Sequence, residues 1–140
     1  VIAWWVALSG CGNKLPVQTL DVDGNPVAAE IAATEDARTL GLMFRDSMPE
    51  NAGMLFVYED TKVRSFWMKD TRIPLSIAFL DPHGAVVSIA DMKPFDTRST
   101  SSVVPARYAL EMNLGWFERH GVERGDKVLN LPEAEPTAGR

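Results

Sequence analysis

The sequence predicts a small, mainly β domain of the α+β kind, a compact antiparallel β-barrel or sandwich carrying one or two short helices. Three observations predict it. Several runs have strand length and strand patterning: Val17–Val22, Val27–Ala32, Gly53–Tyr58, Val63–Lys69, Leu75–Leu80 and Ala85–Asp91. The connections between most of them are short and carry Gly, Pro, Asn or Asp, which suits hairpins and an antiparallel meander better than helical crossovers. The stretch 41–81 also concentrates methionine beside aromatic or leucine neighbours (Leu42-Met43-Phe44, Met54-Leu55-Phe56, Phe66-Trp67-Met68), which reads as core.

Val17–Val22 is a first strand, and Asp23-Gly24-Asn25-Pro26 supplies turn chemistry after it. Val27, Ala29 and Ile31 alternate with Ala28, Glu30 and Ala32, the pattern of a half-buried strand. Thr34 suits a helix N-cap, with Glu35 and Asp36 in the first turn, so a short helix is expected over 34–43. Its apolar face would hold Ala37, Leu40 and Met43 or Phe44. Residues 45–52 form a loop around Pro49. Gly53–Tyr58 is almost wholly apolar and is expected to be a central strand; 59–62 would then turn, and 63–69 return as a strand. Pro74 closes the corner made by Asp70, Thr71 and Arg72, and Asp81-Pro82-His83-Gly84 turns the chain between two further strands. Residues 92–105 form the longest irregular segment. Tyr108–Asn113 reads as a strand with Tyr108, Leu110 and Met112 inward and Glu111 outward, although 106–119 also has helical composition. Trp116–His120 suits a helical turn stopped by Gly121, and 122–128 leads into a last strand.

The chain has 140 residues, the size of one domain, with 46% hydrophobic and 24% charged residues. Its net charge of −5 and scattered Lys and Arg argue against a nucleic-acid partner, which calls for a basic stripe. One cysteine and two histidines give no intramolecular disulfide and no basis for a Cys- or His-rich metal centre, and no cofactor is indicated.

Residues 1–10 (VIAWWVALSG) are an apolar run directly before Cys11. The run is shorter than the roughly 20 residues that span a bilayer and has the length of a signal-peptide hydrophobic region. Leu8-Ser9-Gly10-Cys11 resembles a bacterial lipobox, which implies cleavage before Cys11 and acylation of that cysteine. The expected organisation is a signal-peptide remnant (1–10), a lipidated tether (11–16), a single β-rich domain (17–131) and a flexible tail (132–140). The expected location is the periplasmic side of the cell envelope, with the membrane as partner through lipid on Cys11.

Several words occur in one order: GLM at 41–43, GMLF at 53–56, FWMK-x-T at 66–71, IPL at 73–75, FLD-x-x-G at 79–84, LEM at 110–112 and GD at 125–126. Together they resemble domain-of-unknown-function family 192, an uncharacterised group of bacterial and archaeal proteins, many of them exported, over about residues 27–129. The resemblance implies a compact β-barrel or sandwich with small helices, and no established reaction. The family commonly has Asn where this chain has Asp70, and Asp where it has Ser76.

Two constellations are candidates for function. Arg45, Lys69, Asp70, Arg72 and Glu111 lie beside the most apolar part of the chain, with Trp67 next to Lys69. They would form a pocket in which Arg and Lys hold an anionic ligand and Glu111 orients one of them; the plainer alternative is an Arg–Glu pair tying a loop or helix to the sheet. Met43, Met54 and Met68 are thioethers suited to Cu(I), but without a His or Cys close in sequence they read as core, together with Trp67. No Gly-rich phosphate loop, G-x-S-x-G or paired-carboxylate arrangement is present. The leading expectation is an envelope lipoprotein domain that binds a small molecule or an envelope protein. The alternatives are an enzyme acting on an envelope saccharide or anionic small molecule, and a methionine-based copper carrier.

Overall fold

Asp23 and Gly24, both at positive φ (50° and 83°), make the tight hairpin that joins β1 (Val17–Val22) to β2 (Asn25–Ala32). The Asp21 carboxylate fixes the turn by accepting the Gly24 N–H at 2.6 Å. The chain is seen here in a computed structural model that describes residues 14–133. Cys11, the leader expected at 1–10 and residues 134–140 lie outside the described residues. After β2 come α1 (Glu35–Leu40), β3 (Ala52–Lys62), β4 (Ser65–Phe66), β5 (Leu75–Leu80) and β6 (Val86–Met92). The remaining elements are β7 (Thr100–Ser101), β8 (Ala106–Asn113), α2 (Trp116–Arg119) and β9 (Val128–Leu129).

Seven strands form one curled sheet in the order β6-β5-β8-β3-β2-β1-β9, and β4 and β7 make a separate two-stranded ribbon. The mainly β fold with two short helices is therefore as the sequence predicts, and the curled sheet is a half-barrel. An antiparallel bridge between Ala85 and Lys127 draws the two edge strands together at one end. There Val86 N–H donates to Asp126 O and Val128 N–H to Gly84 O, both at 2.9 Å. At that end the bridge pairs backbone that an open edge would present to other chains.

The simple meander is not what forms. β2 and β3 pair in parallel, with α1 in the connection, and β8 inserts between β3 and β5. These long-range pairings leave no local signature in the sequence. The turn expected at 59–62 is instead the exposed end of β3, which continues past an irregularity in the ladder to Lys62. The strand expected at 63–69 shrinks to Ser65–Phe66, because the chain leaves the sheet there and lies over its face. The expected helix at 34–43 ends earlier, at Gly41, whose φ of +49° breaks the helical path while its N–H still bonds Ala37 O at 2.9 Å. Leu40 points to solvent, so the buried apolar contact in this region comes from Leu42.

Alternation along the central strands divides the core between the two faces of the sheet. Leu20, Leu55, Leu80, Leu110 and Met112 lie in the barrel interior with Trp116 and Phe117 of α2. Met54, Phe56, Leu75, Ile77 and Phe79 lie on the opposite face with Leu42, Met68 and Ile73. All six residues of β5 are buried, because both faces of the sheet are covered there. At Gly53 a Cβ would stand 2.4 Å from Met112 Sδ and 2.5 Å from Glu111 O, so only glycine lets β3 approach β8 this closely. Among the described residues no helix is long and apolar enough to cross a membrane.

Candidate functional site

The outer face of the sheet carries one ionisable group in its apolar centre. In-register pairing sets Glu30, Met54, Glu111 and Ile77 in one row across β2, β3, β8 and β5. The parity read from the sequence is right, since Glu111 does face away from Tyr108, Leu110 and Met112. It is not outward to solvent, however, because this face is also covered, and Glu111 is only 4% exposed.

Two excursions of the chain cover it. On one side α1 is started by Thr34, whose Oγ1 accepts the Ala37 N–H at 3.1 Å. The helix stops at Gly41, whose position packs against the Phe56 ring. Arg38 ties the helix to the sheet: its guanidinium donates to Ala33 O at 2.8 Å and Val57 O at 2.9 Å and lies 4.9 Å from the centre of the Tyr58 ring. On the other side Phe66 meets Phe56 edge-on (centroids 5.0 Å apart, 80°) and Phe79 at 5.7 Å, which anchors β4 on the sheet. Asp70, at φ +53°, then makes a turn in which Thr71 N–H bonds Met68 O at 3.1 Å.

Between these excursions lies a cavity of about 490 Å³ lined by Glu35, Arg38, Thr39, Leu42, Met43, Phe56, Tyr58, Ser65, Phe66, Trp67, Thr71 and Glu111, among others. Its size falls in the range of small-molecule sites. Glu111 forms no ion pair among the described residues, and burial alone, with no hydrogen-bond or charge partner, acts on its carboxyl. Burial pushes its carboxyl up to about 8, so the group holds its proton at neutral pH. Burial also raises the Tyr58 hydroxyl, against the opposing pull of the Arg64 and Arg38 guanidiniums. The lining thus combines aromatic faces, hydroxyls, the Arg38 guanidinium, the Glu35 carboxyl and, at Glu111, a neutral carboxylic acid that can both donate and accept.

Of the residues singled out in the sequence, Trp67 and Glu111 come together in this cavity. Trp67 is 50% exposed, so it is not a core residue. Trp67→Ala should therefore cost less than about 1 kcal/mol in a urea melt, not the 3–5 kcal/mol of a buried aromatic. Lys69 stands over the Trp67 ring, its Nζ 5.4 Å from the centroid, but does not line the cavity. Asp70 is the turn residue described above, and its carbonyl accepts the Phe44 N–H at 2.9 Å. Arg45 pairs in bidentate fashion with Glu30, one bond at 3.0 Å, and Arg72 pairs with Asp46 at 2.7 Å. The Arg–Glu tie between loop and sheet thus exists, with Glu30 as the acid and not Glu111. Met54 and Met68 are buried in the outer-face cluster, and Met43 lines the cavity. The described residues hold no group of three or more His, Cys, Asp or Glu suited to a metal ion.

Ser76 lies on the barrel-interior face, away from the Glu111 cavity. Its hydroxyl donates to Asp91 Oδ1 at 2.7 Å and accepts the Gly115 N–H at 2.9 Å, which links β6 to the start of α2. Arg38, Tyr58 and Thr71 were not singled out in the sequence. The signal for Tyr58 was available in the alternation Met54, Phe56, Tyr58 along one face of β3; the other two depend on how α1 and the 68–71 turn fold back.

The family model described as DUF192, Uncharacterized ACR, COG1430, matches residues 18–129. No curated protein matches the chain. A crystal structure from Sinorhizobium meliloti 1021, described as a proposed transcription regulator, is 29% identical with a TM-score of 0.81, covering 84% of this chain and 95% of that one. A protein of unknown function from Novosphingobium aromaticivorans DSM 12444 is 32% identical with a TM-score of 0.79, covering 87% of this chain and 88% of that one. The chain thus has the fold of these proteins, and its match from the first strand to the last makes it a member of domain-of-unknown-function family 192.

Proposed function

We propose that this domain is a binding module for a small molecule seated in the outer-face cavity over Glu111. The observation that carries this reading is the unpartnered, buried Glu111 carboxyl in an aromatic-lined cavity of about 490 Å³. A buried polar group without a partner is costly, and folded proteins keep few of them away from functional sites. Trp67, half exposed at the same cavity, supplies a rigid apolar surface against which a ligand gains contact area. The net charge of −5 argues against nucleic acid as the occupant.

A small-molecule library screened by NMR tests this. Binders are expected to shift the resonances of Trp67, Thr71 and Glu111, and their affinity should fall about tenfold or more in Trp67→Ala. Binders that map to another surface and ignore both Trp67→Ala and Glu111→Gln would overturn the reading.

A second reading draws on the same carboxyl. A carboxylic acid kept protonated at neutral pH by an apolar pocket has the property that a general acid requires, and Glu111 would serve as such on a saccharide or other small substrate. In that case Glu111→Gln should still bind the molecule while its conversion stops.

We also propose, from Leu8-Ser9-Gly10-Cys11 alone, that the domain is held at the envelope by acyl chains on Cys11. Mass spectrometry of the membrane fraction should find Cys11 acylated at a new N-terminus. A mature protein retaining residues 1–10 without lipid would contradict it.

A further inference from the structure

The row of the sheet that holds Glu111 also holds Glu30, two strands away and therefore about 10 Å off at the usual strand spacing. The two carboxyls differ in one respect. Glu30 is closed by the Arg45 guanidinium, which engages both its oxygens. Glu111 has no such partner among the described residues and opens instead into a cavity lined by Phe56, Tyr58, Phe66 and Trp67. We propose that the occupant is an organic cation, an ammonium or guanidinium group on a short apolar body, which supplies to Glu111 the positive partner that Arg45 supplies to Glu30.

The surroundings favour that chemistry. The faces of aromatic rings attract cations, and the Tyr58 ring of the lining already holds two of the chain's own, the Arg38 and Arg64 guanidiniums at 4.9 and 3.8 Å from its centroid. The Trp67 ring already attracts the chain's own Lys69 ammonium, at 5.4 Å from its centroid. The charged groups lining the cavity are Glu35, Arg38 and Glu111, two acids against one base. The Arg38 guanidinium is already committed to the Ala33 and Val57 carbonyls and the Tyr58 ring. The neighbours of Glu111 in its own row, Met54 and Ile77, carry no charge.

Proton balance makes the inference measurable. Burial holds the free Glu111 carboxyl protonated up to about pH 8. A cation binds the ionised form, so the carboxyl must give its proton to solvent as the cation enters. Affinity should then rise about tenfold per pH unit below about pH 8 and level off above it. A neutral or anionic ligand that uses the protonated acid would show the reverse and weaken above that pH.

The inference rests on the binding reading given above, and the experiment separates the two. Calorimetric titrations of butylguanidinium and of butylurea, its uncharged isostere, are compared from about pH 6 to about pH 9 in buffers of different ionisation enthalpy. Butylguanidinium is expected to bind at least tenfold more tightly than butylurea at the alkaline end, and to release about one proton per molecule at the acid end. Glu111→Gln, which keeps the shape and the neutral state, should abolish both the preference and the pH dependence. If butylurea binds as tightly as butylguanidinium, and both weaken above about pH 8, the cation is overturned while the cavity stands as a ligand site. If neither probe binds, the cation is overturned as well, and the library screen above decides separately whether the cavity binds anything.

Discussion

Glu111→Gln is expected to make the protein markedly more stable at alkaline pH and to remove most of the dependence of its stability on pH between about 4.5 and about 8. The sign follows from which state holds the proton. In the unfolded chain the carboxyl ionises near its ordinary value of 4.5, while in the folded protein burial delays ionisation to about 8. Between those values the native state holds a proton that the unfolded state has lost. Stability therefore falls as pH rises through this window, and the whole loss has accrued above about 8. One pKa unit corresponds to about 1.4 kcal/mol, so the loss is on the order of 3–5 kcal/mol. Glutamine carries no ionisable group and escapes it. Asp60 and Asp96, each lowered to about 2 by hydrogen bonds from Lys62 and Arg64 and from Arg98, act in the opposite sense, and only at lower pH. Urea melts of both proteins near pH 5 and near pH 9 check this: the curves should separate at the upper pH and lie close together at the lower. Parallel behaviour of the two proteins would mean that Glu111 is not held neutral by burial.

Trp116→Ala is expected to be the most damaging single truncation in the barrel interior, at about 3–5 kcal/mol. Trp116 is fully buried, and its indole meets the Phe117 ring edge-on at 5.4 Å and stacks on His120 at 4.1 Å. The indole N–H donates to Asn51 Oδ1 at 3.1 Å, which ties α2 to the loop that precedes β3. Truncation leaves a cavity in the interior and an unmatched polar group at the Asn51 end. Thermal unfolding should show a fall in Tm on the order of 10 °C. Trp116→Phe refills part of the volume without the N–H, so it should fall between the two.

These two residues show what could be read in the sequence and what could not. β1 at Val17–Val22 and β5 at Leu75–Leu80 have the expected bounds because each is a clean apolar or alternating run between turn residues. Thr34 marks the start of α1 through chemistry that acts within a few residues, whereas the helix stops at Gly41, short of the expected end at 43. The order of the strands was out of reach, since the parallel pairing of β2 with β3 and the insertion of β8 depend on contacts distant in sequence. The same reason explains Glu111. Alternation put it on the right face of β8, but a lone strand cannot tell that α1 and the 66–72 segment will cover that face. It also explains Trp67, which lies among buried neighbours in sequence yet stands half exposed. Phe66 and Met68 go inward where the chain lies flat over the sheet, so the residue between them is turned out. Arg45 was legible as a salt-bridge partner, although its carboxylate is Glu30 and not Glu111.

The central claim is that Glu111 stands buried and without a partner, open only to a ligand. Isotope-edited NMR of its side-chain carboxyl carbon across the pH range tests this most directly. The predicted result is a single titration with its midpoint near 8 in the free protein. A midpoint in the ordinary carboxylate range, near 4.5, would mean that the group is solvated or already paired, and would contradict the account.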